Sequence, residues 1–503
     1  MGIIAASRLR AAALAPFIIE VDTSKAGSAS DQFEFTGALG DYDVVAKQND
    51  TVVATFDNLS GEQTITLPSA GIYVLEVMPK ASNGFNRIRF NSSGDKLKPT
   101  DIKQWGSVAW SSFQRTFFGC SNMLTTATDR PNLSLVTDME KMFQGATLAN
   151  PDTLNWDVSS VTDMEKMFQG ATLANPDVSN WDVSSVINMG YMFYYASSAN
   201  PDTLNWDVSS VTDMAFMFKG ASSANPDVSN WDVSSVNNMR FMFQYASSAN
   251  PNTLNWNVSS VIRIDGLFFG ATLANPDVSN WDTSSVTNML SMFRNASSAN
   301  PDVSNWDTSS VTNMQGVFEH ATSANPDTSN WDVSSVTSMQ SMFKGATSAN
   351  PNTLNWDVSS VDNMRSMFED ASSANPDTSN WDVSSVNNME RMFQGATSAN
   401  PNTLNWDVSS VDNMRFMFYY ASSANPNTTN WDVSSVTGMN RMLENSNLSV
   451  ENLTACYENW SQLNLQQNVS FSAGNIKYNA SGQAGRDILV NTYNWTITDG
   501  GQV

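Results

Sequence analysis

Apolar positions between residues 126 and 446 recur with a fixed period of 25 residues. Trp156, Trp181, Trp206, Trp231, Trp256, Trp281, Trp306, Trp331, Trp356, Trp381, Trp406 and Trp431 mark the register without an insertion. A unit this short cannot bury an apolar face alone and must stack on its neighbours. Within a unit, Asn155-Trp156-Asp157-Val158-Ser159 alternates apolar and polar and predicts a short strand. Ser160-Val161-Thr162-Asp163 then has the form of a helix N-cap. Val161, Met164, Met167, Phe168 and Ala171 follow at i, i+3, i+6, i+7 and i+10, which predicts one apolar helix face. Asn175-Pro176 closes the helical stretch, because the residue before proline avoids the helical region. The expected fold class is an α/β repeat solenoid of leucine-rich-repeat-like coils, each a short strand plus a short helix. The Met and Phe positions are its core. The Trp column has two readings, packed core or a row of exposed rings that stack sugars.

The ends depart from the period. Residues 1–15 read as an N-terminal arm suited to attachment to a virion. Residues 16–80 hold strand-like runs, Phe17 to Val21, Val52 to Phe56, Thr64 to Leu67 and Gly71 to Val77, separated by Gly, Asp and Asn turns. They predict a small antiparallel β-sandwich. Residues 81–125 form a junction capping the first coil, with Phe117-Phe118 in register with Met142-Phe143. The solenoid occupies 126–446. A C-terminal cap follows over 447–503, with helices expected over 453–463 and 484–493 and a last strand over 495–498.

Comparison of the units with one another locates the variation. Most positions are near copies, while four vary: Glu165, Lys166, Gln169 and Gly170 in one unit, Gly190, Tyr191, Tyr194 and Tyr195 in the next. On a helix these lie opposite the Val/Met/Phe/Ala face and form an exposed stripe. Tyr191, Tyr194, Tyr195, Phe216, Arg240, Phe241, Tyr245, Arg415, Phe416, Tyr419 and Tyr420 are the candidate ligand-binding residues. Tyr and Arg are favoured at binding surfaces because they offer a large contact for little conformational entropy. Unconstrained drift of exposed positions is the competing reading.

Asp157, Asp182, Asp207, Asp232, Asp282, Asp307, Asp332, Asp357, Asp382, Asp407 and Asp432 recur once per unit, with Asn257 in the remaining place. Stacked carboxylates repel unless they are compensated. Hydrogen bonds from the Asp-Val-Ser-Ser turn and Ca²⁺ between coils are the two options. Asn257 fits the first, since an amide accepts the same bonds. No cofactor is expected. The formal charge of −24 disfavours nucleic acid. No apolar run reaches the roughly 18 residues of a membrane span. Cys120 and Cys456 form no paired motif, and His320 is the one histidine. A periodic ladder supplies identical carboxylates where hydrolysis needs one unlike pair. The chain is expected not to be an enzyme.

The repeats resemble those of the BspA-like surface proteins, a branch of the leucine-rich-repeat-like families. The motifs that carry this are Asn305-Trp306-Asp307-Thr308-Ser309-Ser310-Val311-Thr312-Asn313-Met314 and Met167-Phe168-Gln169-Gly170-Ala171. The entry region Ile88 to Lys96, Gln104-Trp105-Gly106, Phe118 to Asn122 and the closing segment Asn491 to Gly501 fit the same family. The preceding domain is similar to a PKD-type, immunoglobulin-like sandwich. Two departures are plain: Val45 to Asp50 stands where Trp-Gly-Asp-Gly is usual, and Ala-Asn-Pro replaces Phe-Asn-Gln in each coil. The resemblance implies adhesion or recognition at surfaces, in bacterial cell-surface proteins and in phage appendages. Arg8, Arg10 and Pro16 interrupt the order of a secretory leader, and the end at Val503 offers no sorting domain. The expected role is therefore a phage tail fibre or similar virion appendage. Other virion proteins would bind its N-terminal region, and a host-surface glycan or protein would bind its stripe. Self-association into a homo-oligomer is left open. A bacterial cell-surface adhesin and a head or baseplate decoration protein are the alternatives.

Overall fold

The computed structural model describes residues 14–80 and 84–503. The expected arm lies outside the described residues except for 14 and 15. The chain divides into two compact units, Met1–Ser210 and Val211–Val503. Tandem repeats, mostly extended or turn structure and few helices make this a repeat fold.

The first unit opens with β1 (Phe17–Asp22), β2 (Gln32–Glu34), β3 (Asp41–Gln48), β4 (Thr51–Ser60), β5 (Thr64–Thr66), β6 (Ile72–Pro79), β7 (Pro99–Gln104) and β8 (Leu124–Thr125). One six-stranded sheet has the order β4-β3-β6-β1-β7-β8, and β2 pairs with β5. β1 is antiparallel to both β6 and β7, so a strand following residue 80 completes the sheet that residue 17 begins. Alternation puts Ile19, Val21, Tyr42, Val44, Ala46, Tyr73, Leu75 and Val77 in the core. Asn49 and Asp50 hold left-handed φ values of 48° and 59°, as a two-residue hairpin between β3 and β4 requires. The segment Val45 to Asp50 thus builds the end of β3 and this turn. Asp95 and Lys98 are wholly buried and paired at 3.4 Å. Lys98 also donates to the carbonyls of Ser28, Ala29 and Gln32, which compensates its desolvation. Trp105, Trp110, Phe113 and Phe117 close the first coil, with Trp105 edge-on to Trp156 at 5.6 Å and Phe117 stacked on Phe143 at 5.7 Å.

The coils differ from the expectation. Helices among the described residues, apart from a short 3₁₀ turn, are α1 (Val450–Trp460) and α2 (Gln483–Tyr493), both after the repeats. The predicted helix over 161–171 is replaced by turns, and the predicted strand over 155–159 by an irregular stretch between two turns. The backbone bonds show why. Amide N–H groups alternate between two targets: Met339, Ser341, Phe343 and Gly345 donate to the carbonyls of Asn363, Arg365, Met367 and Glu369 in the next coil, at 3.0, 2.9, 2.9 and 2.7 Å. The groups between them, in Met342, Lys344 and Ala346, donate three residues back to Met339, Ser341 and Phe343. Three-residue turns place residues three apart on one side, so they produce the same apolar spacing as a helix. Parallel bridges join Asp138, Asp163 and Asn188 in the first unit, and Asp213 through Gly438 in the second, at intervals of one coil.

Side chains stack in the same register. Val158, Val161, Met164, Met167, Phe168, Ala171 and Ala174 are buried, as are their counterparts in later coils. Phe343 lies on Phe368 at 5.5 Å and 4°, and Trp306 on Trp331 at 6.3 Å and 1°. The Trp column is core: Trp306 is 2% exposed and its indole N–H donates to the Val278 carbonyl of the preceding coil at 3.1 Å. Exposed sugar-stacking Trp rings are thereby ruled out. In the Ala-Asn-Pro segments the Ala and Pro are buried, and each Asn accepts the N–H of the next, as from Asn325 to Asn300 at 2.9 Å. The turn lost its Phe but gained a side-chain ladder.

At the C-terminal end, Ser449 caps α1 by accepting the Asn452 N–H at 3.1 Å. Ser449 and Asn452 both donate to Asn425 at 2.9 Å, which ends the Asn ladder. β9 (Ser470–Ser472) pairs in parallel with β10 (Thr496–Thr498), and Phe471 bridges Met439 of the last coil. Helices and strand fall within three residues of the sequence expectation.

Trp306→Ala is expected to remove two stacked faces and one buried hydrogen bond, lowering stability by about 3–5 kcal/mol in chemical denaturation. A loss below about 1 kcal/mol would show that the ring is not packed as described.

Candidate functional site

The variable positions are set by backbone handedness. Each coil has two residues in the left-handed region, four apart, illustrated by Lys166 (φ 60°) with Gly170 (68°) and by Tyr191 (59°) with Tyr195 (53°). Side chains at positive φ crowd the following carbonyl, which disfavours non-glycine residues by about 1–2 kcal/mol each. At the second position Gly145, Gly170, Gly220, Gly270, Gly345 and Gly395 avoid that penalty. Tyr195, Tyr245, His320, Asp370 and Tyr420 do not, with φ between 53° and 58°. Aromatic residues held there are outliers of a kind that clusters at functional sites.

These residues remain accessible. Tyr195, Tyr245 and Tyr420 are 46%, 46% and 54% exposed. Tyr191, Tyr194, Arg240, Phe241, Phe416 and Tyr419 are half-buried, and Arg415 is exposed. Phe216 is the exception at 9%. It was expected on the open face, but it stacks on Phe241 at 5.3 Å under the Arg240 guanidinium at 4.8 Å, with the Lys219 ammonium 5.3 Å from its ring. It supports the surface and does not offer one. Burial and the Arg240 charge lower the Lys219 pKa.

Two aromatic clusters stand out. In the first unit, Tyr194 packs on Tyr191 at 5.5 Å and edge-on to Tyr195 at 4.6 Å. The Lys166 ammonium lies 4.8 Å from the Tyr191 ring. Desolvation first, then the neighbouring Tyr195 and Tyr191, raise the Tyr194 pKa. In the second unit, Tyr419 meets Phe416 at 5.7 Å and Tyr420 at 4.4 Å, both edge-on. The Arg391 and Arg441 guanidinium groups lie 5.2 and 5.6 Å from Phe416 and Tyr419. Tyr245 leans on Phe269 at 5.0 Å.

Charged members of the stripe pair between neighbouring coils: Arg115 with Glu140, Arg294 with Glu319, Lys344 with Glu369 and Arg365 with Glu390, at 3.3, 3.2, 3.0 and 3.7 Å. Arg240 reaches Asp265 at 3.9 Å, and Arg263 reaches it at 3.0 Å. The variable positions are thus coupled in pairs, and much of their charge is compensated within the protein. Phe269, Asp265 and Glu319 were missed as members. The signal available was the mixture of Gly, Asn and Asp at one variable position, the residues that tolerate left-handed backbone.

Each aspartate of the 25-residue ladder accepts from the serine two residues on. Asp307 takes the Ser309 N–H at 3.0 Å and its hydroxyl at 2.6 Å, and Asn257 takes both from Ser259 at 3.2 and 2.7 Å. These bonds hold the Asp157, Asp232, Asp307 and Asp407 carboxyls below the usual range, the serine hydroxyl contributing most. They are ionised turn-formers. Identical sites of this kind give no unlike carboxylate pair for acid–base chemistry.

Residues 111–223, 200–275, 265–377 and 346–460 each match the model of the family DUF285, described as a Mycoplasma protein of unknown function. No curated protein matches the chain.

Large left-handed residues need a glycine beside them. A Cβ on Gly270 would sit 2.5 Å from Tyr245 Cδ1, and those on Gly345 and Gly395 would strike His320 and Asp370. Gly270→Ala is therefore expected to destabilise the protein by about 1–3 kcal/mol, and by less when Tyr245 is already glycine. Equal losses in the two backgrounds would mean that the Tyr245 ring does not cover Gly270.

Proposed function

The chain belongs to the DUF285 repeat family through 111–460, and from this premise we propose that it is a non-enzymatic recognition protein of a biological surface. In this reading the repeats form a solenoid preceded by an immunoglobulin-like sandwich. The variable stripe of each unit meets a host-surface glycan or protein. The observation that carries the reading is the set of exposed tyrosines, Tyr195, Tyr245 and Tyr420, held at positive φ where other coils carry glycine. Folding alone favours glycine there. A binding role supplies a reason for the ring, since tyrosine gives a large, stiff contact surface with a hydroxyl at its tip.

The non-enzymatic part of the proposal is supported by the periodic carboxylates, each engaged by its own serine. For location we propose a phage virion appendage, attached through the N-terminal region to other virion proteins. A bacterial cell surface is the alternative. BspA-like repeats occur in both settings, and the presence of the chain in purified virions distinguishes them.

Tyr195→Gly with Tyr420→Gly separates binding from folding. The melting temperature is expected to hold or rise, because strain is relieved. Binding to host cells is expected to fall by about tenfold or more, as when hot-spot side chains are removed. Undiminished binding by the folded double variant would remove the stripe from the account.

A further inference from the structure

The first repeat contains a cavity whose lining differs from the corresponding place in every later coil. At the positions where later units carry Leu or a small hydroxyl residue, then Asn and Trp, residues 129–131 are Asp129, Arg130 and Pro131. Beside them lies a cavity of about 410 Å³, lined by Thr128, Asp129, Arg130, Asp152, Asn155 and Trp156. The ring of Trp156 begins the Trp column, edge-on to Trp105 at 5.6 Å and stacked on Trp181 at 6.5 Å.

Its indole N–H is what sets this place apart. The Trp181, Trp206, Trp256 and Trp281 N–H groups donate to carbonyls of Thr153, Val178, Val228 and Thr253 in the preceding coil, at 3.0 to 3.3 Å. Trp156 is 3% exposed, and among the described residues its N–H has no acceptor. An orphaned buried donor is disfavoured, and here it belongs to a residue that lines the cavity. Trp110 and Trp460 also lack acceptors, but both stand outside the repeated column.

The rim restricts the chemistry of what could enter. Asp129 is occupied, accepting the Trp105 and Gly106 N–H groups at 2.9 and 2.8 Å. Asp152 is followed by Leu154, as Asp202 is by Leu204, so its carboxylate receives one backbone N–H at 3.4 Å and no hydroxyl. Arg130 and Asn155 are exposed at the opening. Two carboxylates and a formal charge of −24 repel an anion, while Arg130 opposes a small cation. A neutral ring with several hydroxyls satisfies both signs at once, donating to Asp152 and accepting from Arg130 and Asn155.

We propose that this cavity binds a neutral saccharide unit. The site is separate from the variable stripe and does not depend on it. The test uses the full chain labelled with 5-fluorotryptophan, the Trp156 fluorine signal being assigned through Trp156→Phe. Glucose, galactose and N-acetylglucosamine are titrated separately, with sodium phosphate as an anionic probe. At least one sugar is expected to shift the Trp156 signal saturably at millimolar concentration, while phosphate leaves it in place. Asp152→Asn and Arg130→Asn should each weaken that binding by about tenfold or more. Asparagine is what later coils carry at the Arg130 position, so the fold is retained. An undisturbed Trp181 signal checks this, and Asn155→Ala serves if either variant fails it. No shift with any of the three sugars, a shift with phosphate alone, or affinity unchanged in all folded variants would overturn the assignment.

Discussion

Everything in the repeats depends on backbone hydrogen bonds between coils that keep one register. Alternate N–H groups of each coil reach carbonyls 24 residues ahead. An added or missing residue would slide that pairing, and every inward side chain beyond it would leave its column. The unbroken 25-residue spacing of the tryptophans is the sequence trace of this constraint. The other ladders use the same register: Asn to Asn, Thr hydroxyl to the next coil's carbonyl, and indole N–H to the previous coil. Each is modest alone, but each satisfies a polar group that burial would otherwise leave without a partner.

The same bonds decide where variation is tolerated. The left-handed residues Tyr195, Tyr245 and Tyr420 carry their side chains away from the core, and the ladder that fixes their backbone does not read those side chains. Exchange there is limited by the neighbour: a tyrosine, histidine or aspartate in one coil lies over a glycine in the next, and an arginine or lysine meets a glutamate. The outer face is therefore built in complementary pairs of coils. The invariant turns are held for a different reason, since the Asp–Ser bonds fix their shape.

The period, the buried Val, Met and Phe columns and the two C-terminal helices were legible in the sequence, whereas the Trp column fitted core and exposed rings alike. Their apolar side chains recur at intervals that stacking requires. The conformation between them was not. Residues spaced three and four apart suit a helix face and a chain of three-residue turns alike, and Val161 to Ala171 cannot distinguish them. The left-handed positions left a faint sign, Gly170 and Gly270 exchanging with Asn295 and Asp370, which was overridden by the helical spacing. β3 was missed because its polar positions Asp41, Asp43 and Lys47 obscure the alternation of Tyr42, Val44 and Ala46. The pairing of β7 with β1 lies across some 80 residues and leaves no local mark. For the site, Tyr195, Tyr245 and Tyr420 were recognised as exposed. Phe216 was placed on the wrong side because its covering groups, Phe241 and Arg240, belong to another coil.

Far-ultraviolet circular dichroism of the intact protein tests the ladder most directly, because coils of helices and coils of inter-coil bonds differ in helical signal. Helix confined chiefly to α1 and α2 corresponds to 11 residues in each, and the account predicts a weak helical band of that size. A strong band, large enough to require a helix in every repeat, would contradict it.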